Sequence, residues 1–267
     1  MQTIEGTLSN GAGVPGDSTA WSRSPAPGGR RWHEGDSGAL GARLEPARLA
    51  LLEACAVTTG TTVLDLTAGD GALAELAHRA GAVVTAIEPD PERFEAGGRR
   101  CAQYRPAVRW HSSTPAAIKA GERSFGAVLS NFTASHHHDQ RRVARLMVRA
   151  AASGAPIALT AWKGLMARVM AITAPDRPGR SERWSRFETA RLHFCDFPEL
   201  SVREHSVRWR FDDSEHAVRE LAAPAGTESA HRRLRAAMPD LIESYGVRCG
   251  GGLELRSEYA LVFALNL

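Results

Sequence analysis

The stretch VLDLTAGDGALAEL, residues 63–76, sets Asp65 and Asp70 at a glycine turn, and a further carboxylate, Glu88, follows a little later. GDGALA matches the pattern GxGxxA at Gly69, Gly71 and Ala74, which places a nucleotide beside the start of a helix. The charges narrow the choice of nucleotide. A pyrophosphate about 4 Å from one carboxylate would be repelled by roughly 4 kcal/mol at an effective dielectric of 20. Three residues also separate Asp65 from Gly69, whereas a dinucleotide loop places its first glycine almost directly after the strand. The acidic loop predicts a nucleoside with surplus positive charge, approached closely by a glycine backbone.

S-adenosylmethionine has that balance, since its sulfonium and ammonium outweigh its carboxylate. Glu88, followed by Pro89, ends the next apolar run, seventeen residues after Gly71. An acidic side chain there can accept hydrogen bonds from both hydroxyls of a ribose. NAD also has a ribose diol, so Glu88 does not separate the two.

Other candidate chemistry is thinner. His136 and His137, in HHHD before a helix, are the candidate acid–base residues. Adjacent histidines point in different directions, so a metal site is not expected, and Asp139 reads as a helix cap. Trp162 and Trp184 are candidates for the wall of an apolar acceptor pocket.

These residues need a scaffold, and the chain alternates strand and helix signals to provide it. Helices are expected over EPARLALLEAC, ALAELAHRAG, PERFEAGGRRCAQY and DQRRVARLMVRAAA, and strands over TVLDL, AVVTAIE, AVRWH, FGAVLSNF and PIALTAW. Apolar strands separated by helices indicate an α/β parallel sheet covered on both faces. Beyond Trp162 the expectation is a helix (SERWSRFETARLHF), an edge strand (SVREHSVRWRF), two helices (DSEHAVRELAA and SAHRRLRAAMPDLIESYG) and a last strand (EYALVFAL).

VLDLTAGDGALAELAHRAGAVVTAIEPDPERFEAG resembles motifs I and II of the class I S-adenosylmethionine-dependent methyltransferases, in the UbiE-like small-molecule branch. SFGAVLSNFTASHHHDQRRVARLMVRAAASGAPIALTAW is similar to that branch's fourth strand, next helix and fifth strand. The resemblance covers about residues 40 to 162 and EYALVFAL. It implies a Rossmann-like, doubly wound, mostly parallel seven-stranded sheet with an antiparallel last strand. Helical inserts at 163–200 and 211–250 would form a lid. It implies that Asp65, Gly69 and Gly71 hold the methionine portion, Glu88 the ribose, and Ser112 or Ser113 the adenine edge. Asn131 and Phe132 would flank the methionine amine. Thr67 stands where the family has its first loop glycine. Three functions follow as expectations: methylation of a small biosynthetic acceptor, a non-methyl cyclisation or rearrangement on the same fold, or a non-catalytic binding protein.

The whole chain sets outer bounds. It has 267 residues, 33 Lys and Arg against 30 Asp and Glu, and 43% apolar residues, ordinary for one globular domain. Its basic residues are interleaved with acidic ones, and SNFTAS lacks the double proline of amino-methylating nucleic-acid enzymes, so no nucleic-acid partner is expected. Cys55, Cys101, Cys195 and Cys249 form no CxxC pair. Residues 1–36, rich in Gly, Ser and Pro, read as a flexible tail before a domain at 37–267. No basic-then-apolar leader and no run of about 20 apolar residues is present, giving the expectation of a cytoplasmic protein without a membrane partner. The oligomeric state is open, with a homodimer as the assembly to test.

Overall fold

The computed structural model describes residues 38–112, 124–134, 140–175, 186–194, 199–247 and 251–266. The expected tail, residues 1–36, lies outside them. Among the described residues, eight strands form one sheet: β1 (Thr62–Leu66), β2 (Val83–Ile87), β3 (Arg109–His111), β4 (Ala127–Ser130), β5 (Ala155–Lys163), β6 (Glu199–Phe211), β7 (Gly246–Val247) and β8 (Leu253–Asn266). Seven run in the order β3-β2-β1-β4-β5-β8-β6, and β7, only two residues long, pairs with β8 off that path. The expected count of seven is therefore raised by this short addition. β1 to β5 pair in parallel, and the last strand, β8, is antiparallel to both β5 and β6.

The apolar strands explain the layering. Val63 and Leu64 alternate in β1 and enter different cores, as do Val128 and Leu129 in β4. On one face, α2 (Glu45–Ala54) and α3 (Ala72–Arg79) bury Leu51, Leu73 and Ala77. On the other, α5 (Gln140–Ala150) buries Val143 and Met147, and α7 (Phe187–His193) contributes Ala190.

A third core is built largely from the C-terminal half, which was less legible in advance. α6 (Gly164–Thr173), α8 (Ser214–Ala222) and α9 (Glu228–Tyr245) bury Leu165, Met166, Leu221 and Leu234 against Trp162, Trp209, Leu255 and Tyr259. The short helix α1 (Gly38–Arg43) joins this core through Leu40. α1 is not foreseen from the sequence, α6 falls within the helical insert expected at 163–200, and β8 begins five residues before the expected strand. β6 pairs with it from Leu253 to Leu265, and near its start buried Glu254 takes Arg210 at 2.8 Å.

Helix α4 (Pro91–Cys101) survives its Gly97-Gly98 pair for a packing reason. A Cβ on Gly97 would lie 2.1 Å from the Trp110 ring, so the glycine lets β3 and α4 close on each other.

Candidate functional site

β2 and β4 lie on opposite sides of β1, and a crevice opens at the carboxyl ends of β1 and β4, the usual ligand position in open α/β sheets. A cavity of about 390 Å³ occupies it. Of the expected site residues, Asp65, Thr67, Gly69, Asn131, Phe132 and Trp162 line this cavity. Glu88 and Gly71 stand behind the loop. Ser112 is exposed just past β3 and is not part of the lining. Ser113, His136, His137, Asp139 and Trp184 lie outside the described residues.

Asp65, next to last in β1, has 1% of its surface exposed. It accepts a hydrogen bond from the Ala74 amide, and its Oδ2 has no partner. Burial, with Glu88 adding repulsion, pushes its carboxyl up to about 7. An ionisable group with a free oxygen in a cavity wall is suited to a cationic donor.

Glu88, 4% exposed, accepts from the Gly69 amide at 2.7 Å and the Asp90 amide at 2.9 Å. It therefore fixes the glycine loop to the end of β2. Burial raises its carboxyl, opposed by those two amides. A carboxylate offers about four lone-pair positions, so both oxygens keep acceptor capacity.

The glycines act differently from the expectation. Gly71 (φ 81°) gives its amide to the Ala68 carbonyl within the turn and is absent from the cavity lining. A Cβ there would sit 3.0 Å from Gly97 Cα and the Trp110 ring, so its role is close packing. Gly69 (φ 60°) does reach the cavity, but its amide is already held by Glu88.

Thr67 also has a left-handed backbone (φ 68°) and turns its hydroxyl onto the Leu66 carbonyl. Left-handed geometry costs a residue with a Cβ about 1–2 kcal/mol, while glycine loses backbone entropy of about 0.5–1 kcal/mol. Thr67→Gly is thus expected to leave urea stability within about 1 kcal/mol, and Thr67→Val, lacking the hydroxyl, to lower it by about 1 kcal/mol. A large loss in the glycine variant would contradict this account of the loop.

The expected carboxylates share the crevice with basic groups. Arg48 from α2 and Arg93 from α4 line the same cavity. Asp70 is held by Arg100, which reaches its Oδ2 at 2.7 Å and its carbonyl at 2.9 Å, and extends to Glu75 at 3.1 Å. Sequence spacing exposed the charges of the loop, whereas these arginines come from helices that only the fold brings alongside. Arg100→Met should loosen the turn and raise the dissociation constant of a ligand seated there about threefold to tenfold. Hydrogen exchange at 69–71 checks it, and unchanged exchange would remove Arg100 from loop positioning.

The far wall is aromatic. Phe132, itself left-handed (φ 60°), stacks on Trp162 with ring centroids 3.6 Å apart and an angle of 7°. Its amide donates to Thr160 Oγ1 at 2.8 Å, and that hydroxyl donates to Asn131 Oδ1 at 3.0 Å. The strand-end pair Asn131-Phe132 is therefore held rigidly by β5.

Residues 63–154 match the family model described as a methyltransferase domain. Over that stretch the chain is similar to a methyltransferase domain. Its sheet order and the position of its crevice agree with that assignment, while the UbiE-like branch rests on the motifs alone.

The wider comparisons find remote relatives. An uncharacterized protein of Mycobacterium tuberculosis is 26% identical over 140 residues, 52% of this chain and 51% of the relative. A second protein of that organism is 28% identical over 150 residues, 55% of each chain. The match thus spans about half the length of these relatives. Among solved structures, the YcgJ protein of Bacillus subtilis superposes with a TM-score of 0.62 at 13% identity, covering 83% of this chain and 98% of that one. Phosphoethanolamine N-methyltransferase 2 of Haemonchus contortus, solved with S-adenosyl-L-methionine, gives 0.59 at 14% identity, covering 83% and 52%. These identities establish a shared fold.

Among the described residues, no group of three or more His, Cys, Asp or Glu could hold a metal ion, and no helix is long and apolar enough to cross a membrane.

Proposed function

We propose that this chain is an S-adenosylmethionine-dependent methyltransferase acting on a small-molecule acceptor. The observation that carries the reading is the free, buried Asp65 oxygen at the cavity wall, beside the glycine loop at the crevice between β1 and β4. The cavity's mixed charges suit the zwitterionic end of the cofactor: Asp65 toward the ammonium, with Asn131 flanking it. Glu88 would take the ribose diol through its remaining lone pairs, and Ser112, with Ser113, the adenine edge.

When bound, S-adenosylmethionine supplies a methyl group on a positively charged sulfur. The protein's part is mainly positional. Holding a nucleophile against an electrophile at near-attack distance can supply about 7–11 kcal/mol of a barrier. The stacked Phe132–Trp162 wall and the neighbouring Leu40, Leu44 and Pro224 exclude water and offer a flat apolar surface to an acceptor. His136 and His137 are the proposed bases for an acceptor that arrives protonated.

Calorimetry with S-adenosylmethionine, S-adenosylhomocysteine and NAD tests the reading. Micromolar binding of the first two supports it, and binding of NAD alone overturns it. Product mass with candidate acceptors then separates methylation, a gain of one methylene, from a rearrangement.

A further inference from the structure

Basic and acidic residues are interleaved along the chain, yet the fold sorts them. Helix α5 carries Arg141, Arg142, Arg145 and Arg149 and no acidic residue. Its apolar side, with Val143, Ala144 and Met147, is buried against the sheet. Arg141, Arg145 and Arg149 are exposed and four residues apart, so they form a row along its outer side. A rise of about 1.5 Å per residue sets them at steps of about 6 Å. Helix α7 packs beside α5 on the same face of the sheet, and adds exposed Arg191 and, at its start, Arg186. These six arginines are set against one glutamate on the two helices, Glu188, although the whole chain carries 33 basic residues against 30 acidic.

Among the described residues, no ion pair takes up Arg141, Arg145, Arg149, Arg186 or Arg191. Like charges four residues apart on a helix repel, so the row weakens α5 and is not explained by folding. An apolar side chain also stands in this field. Leu192 on α7 is 66% exposed, and with Leu49 on α2 it makes up the large apolar side chains exposed among the described residues.

We propose that the face formed by α5 and α7 docks on an anionic lipid surface. Arginines gain from the negative potential of such a surface, and Leu192 has an apolar layer to enter behind the headgroups. Nucleic acid fits the face less well. It offers Leu192 nothing, and neither of the exposed apolar side chains is an aromatic on which an unpaired base could stack. The contact is peripheral and needs no membrane-spanning helix. Because β4 and β5 are parallel, α5 between them runs back along the sheet, and its Arg141 end lies where the crevice opens. The inference does not depend on which cofactor the crevice holds.

Cosedimentation of the 267-residue chain with lipid vesicles tests it. The expected result at low salt is binding to vesicles of phosphatidylcholine mixed with phosphatidylserine, weak binding to phosphatidylcholine alone, and release by added salt. Each arginine at such a surface contributes about fivefold in affinity, so Arg141→Gln, Arg145→Gln and Arg149→Gln together should weaken binding about a hundredfold. Leu192→Ser should weaken it about threefold to tenfold. The melting temperature of the triple variant should match or exceed that of wild type, because repulsion within α5 is relieved. A charge-matched control, Arg79→Gln with Arg99→Gln and Arg232→Gln, removes arginines exposed on α3, α4 and α9. It should weaken binding by less than about threefold. Failure to bind the mixed vesicles, equal binding to neutral ones, or an equal loss in the control overturns the proposal. So does tighter binding to a duplex DNA oligonucleotide that the α5 substitutions abolish, which assigns the face to nucleic acid.

Discussion

Asp65→Asn is expected to raise stability at pH 8 by a few kcal/mol while weakening S-adenosylhomocysteine binding about a hundredfold. The first effect follows from burial. The rise of the Asp65 carboxyl from 3.8 to about 7 corresponds to roughly 4 kcal/mol between its two protonation states. The folded pKa is raised, so this group's contribution is fully present below about pH 4. It is lost as pH climbs to about 7, because the unfolded chain ionises first and binds fewer protons. The variant has no such loss. The difference in melting temperature between the two proteins should therefore be near zero at pH 4, grow between pH 4 and 7, and level off above. A difference independent of pH would contradict the buried, uncompensated carboxyl.

The second effect carries its own pH signature. A ligand ammonium favours the ionised form of Asp65, so wild-type affinity should fall as pH drops below about 7. In Asp65→Asn the decline should be absent. Parallel pH profiles in the two proteins would show that Asp65 does not face the ammonium.

The contrast between Asp65 and Arg48 marks how far the sequence could be read. Asp65 and the glycine turn are legible because the constraint is local: a strand end, a turn and a helix start within a dozen residues. The parallel sheet is legible for a similar reason, since apolar runs such as VVTAI and AVLS, bounded by helices, have few other places to go. Arg48 and Arg100 belong to ordinary amphipathic helices, and no pattern along the chain says that one faces a cavity and the other clamps a loop. Only the folding of α2 and α4 around β1 and β2 does so.

The same limit applies to the charges of the loop. Asp65, Asp70 and Glu88 read along the chain as an acidic loop, yet Asp70 is neutralised by an arginine thirty residues away. Gly71 was expected to serve a ligand and instead admits Trp110, a contact set by the β3–α4 approach. In the C-terminal half, α6 lacks acidic residues in its first turn and a side-chain cap, and packing against Trp162 and Tyr259 holds it.

Trp162→Ala is expected to cost about 3–5 kcal/mol, a large share of a typical domain's stability. The indole is 2% exposed, stacked on Phe132 and edge-on to Trp209 at 6.5 Å. Its removal opens a void between the crevice and the third core, where α6, α8 and α9 meet the sheet. Trp162→Phe keeps a stacking partner and should cost about 1–2 kcal/mol, measured by urea unfolding. The milder variant also tests the wall's role. If the Phe132–Trp162 face supports the acceptor rather than the nucleoside, Trp162→Phe leaves S-adenosylhomocysteine affinity within about twofold and raises the KM of an acceptor. Loss of nucleoside affinity instead would move the aromatic wall to the cofactor half of the cavity. The acceptor would then have to meet another part of the lining, such as α1 and Pro224, to which no nucleoside contact is assigned.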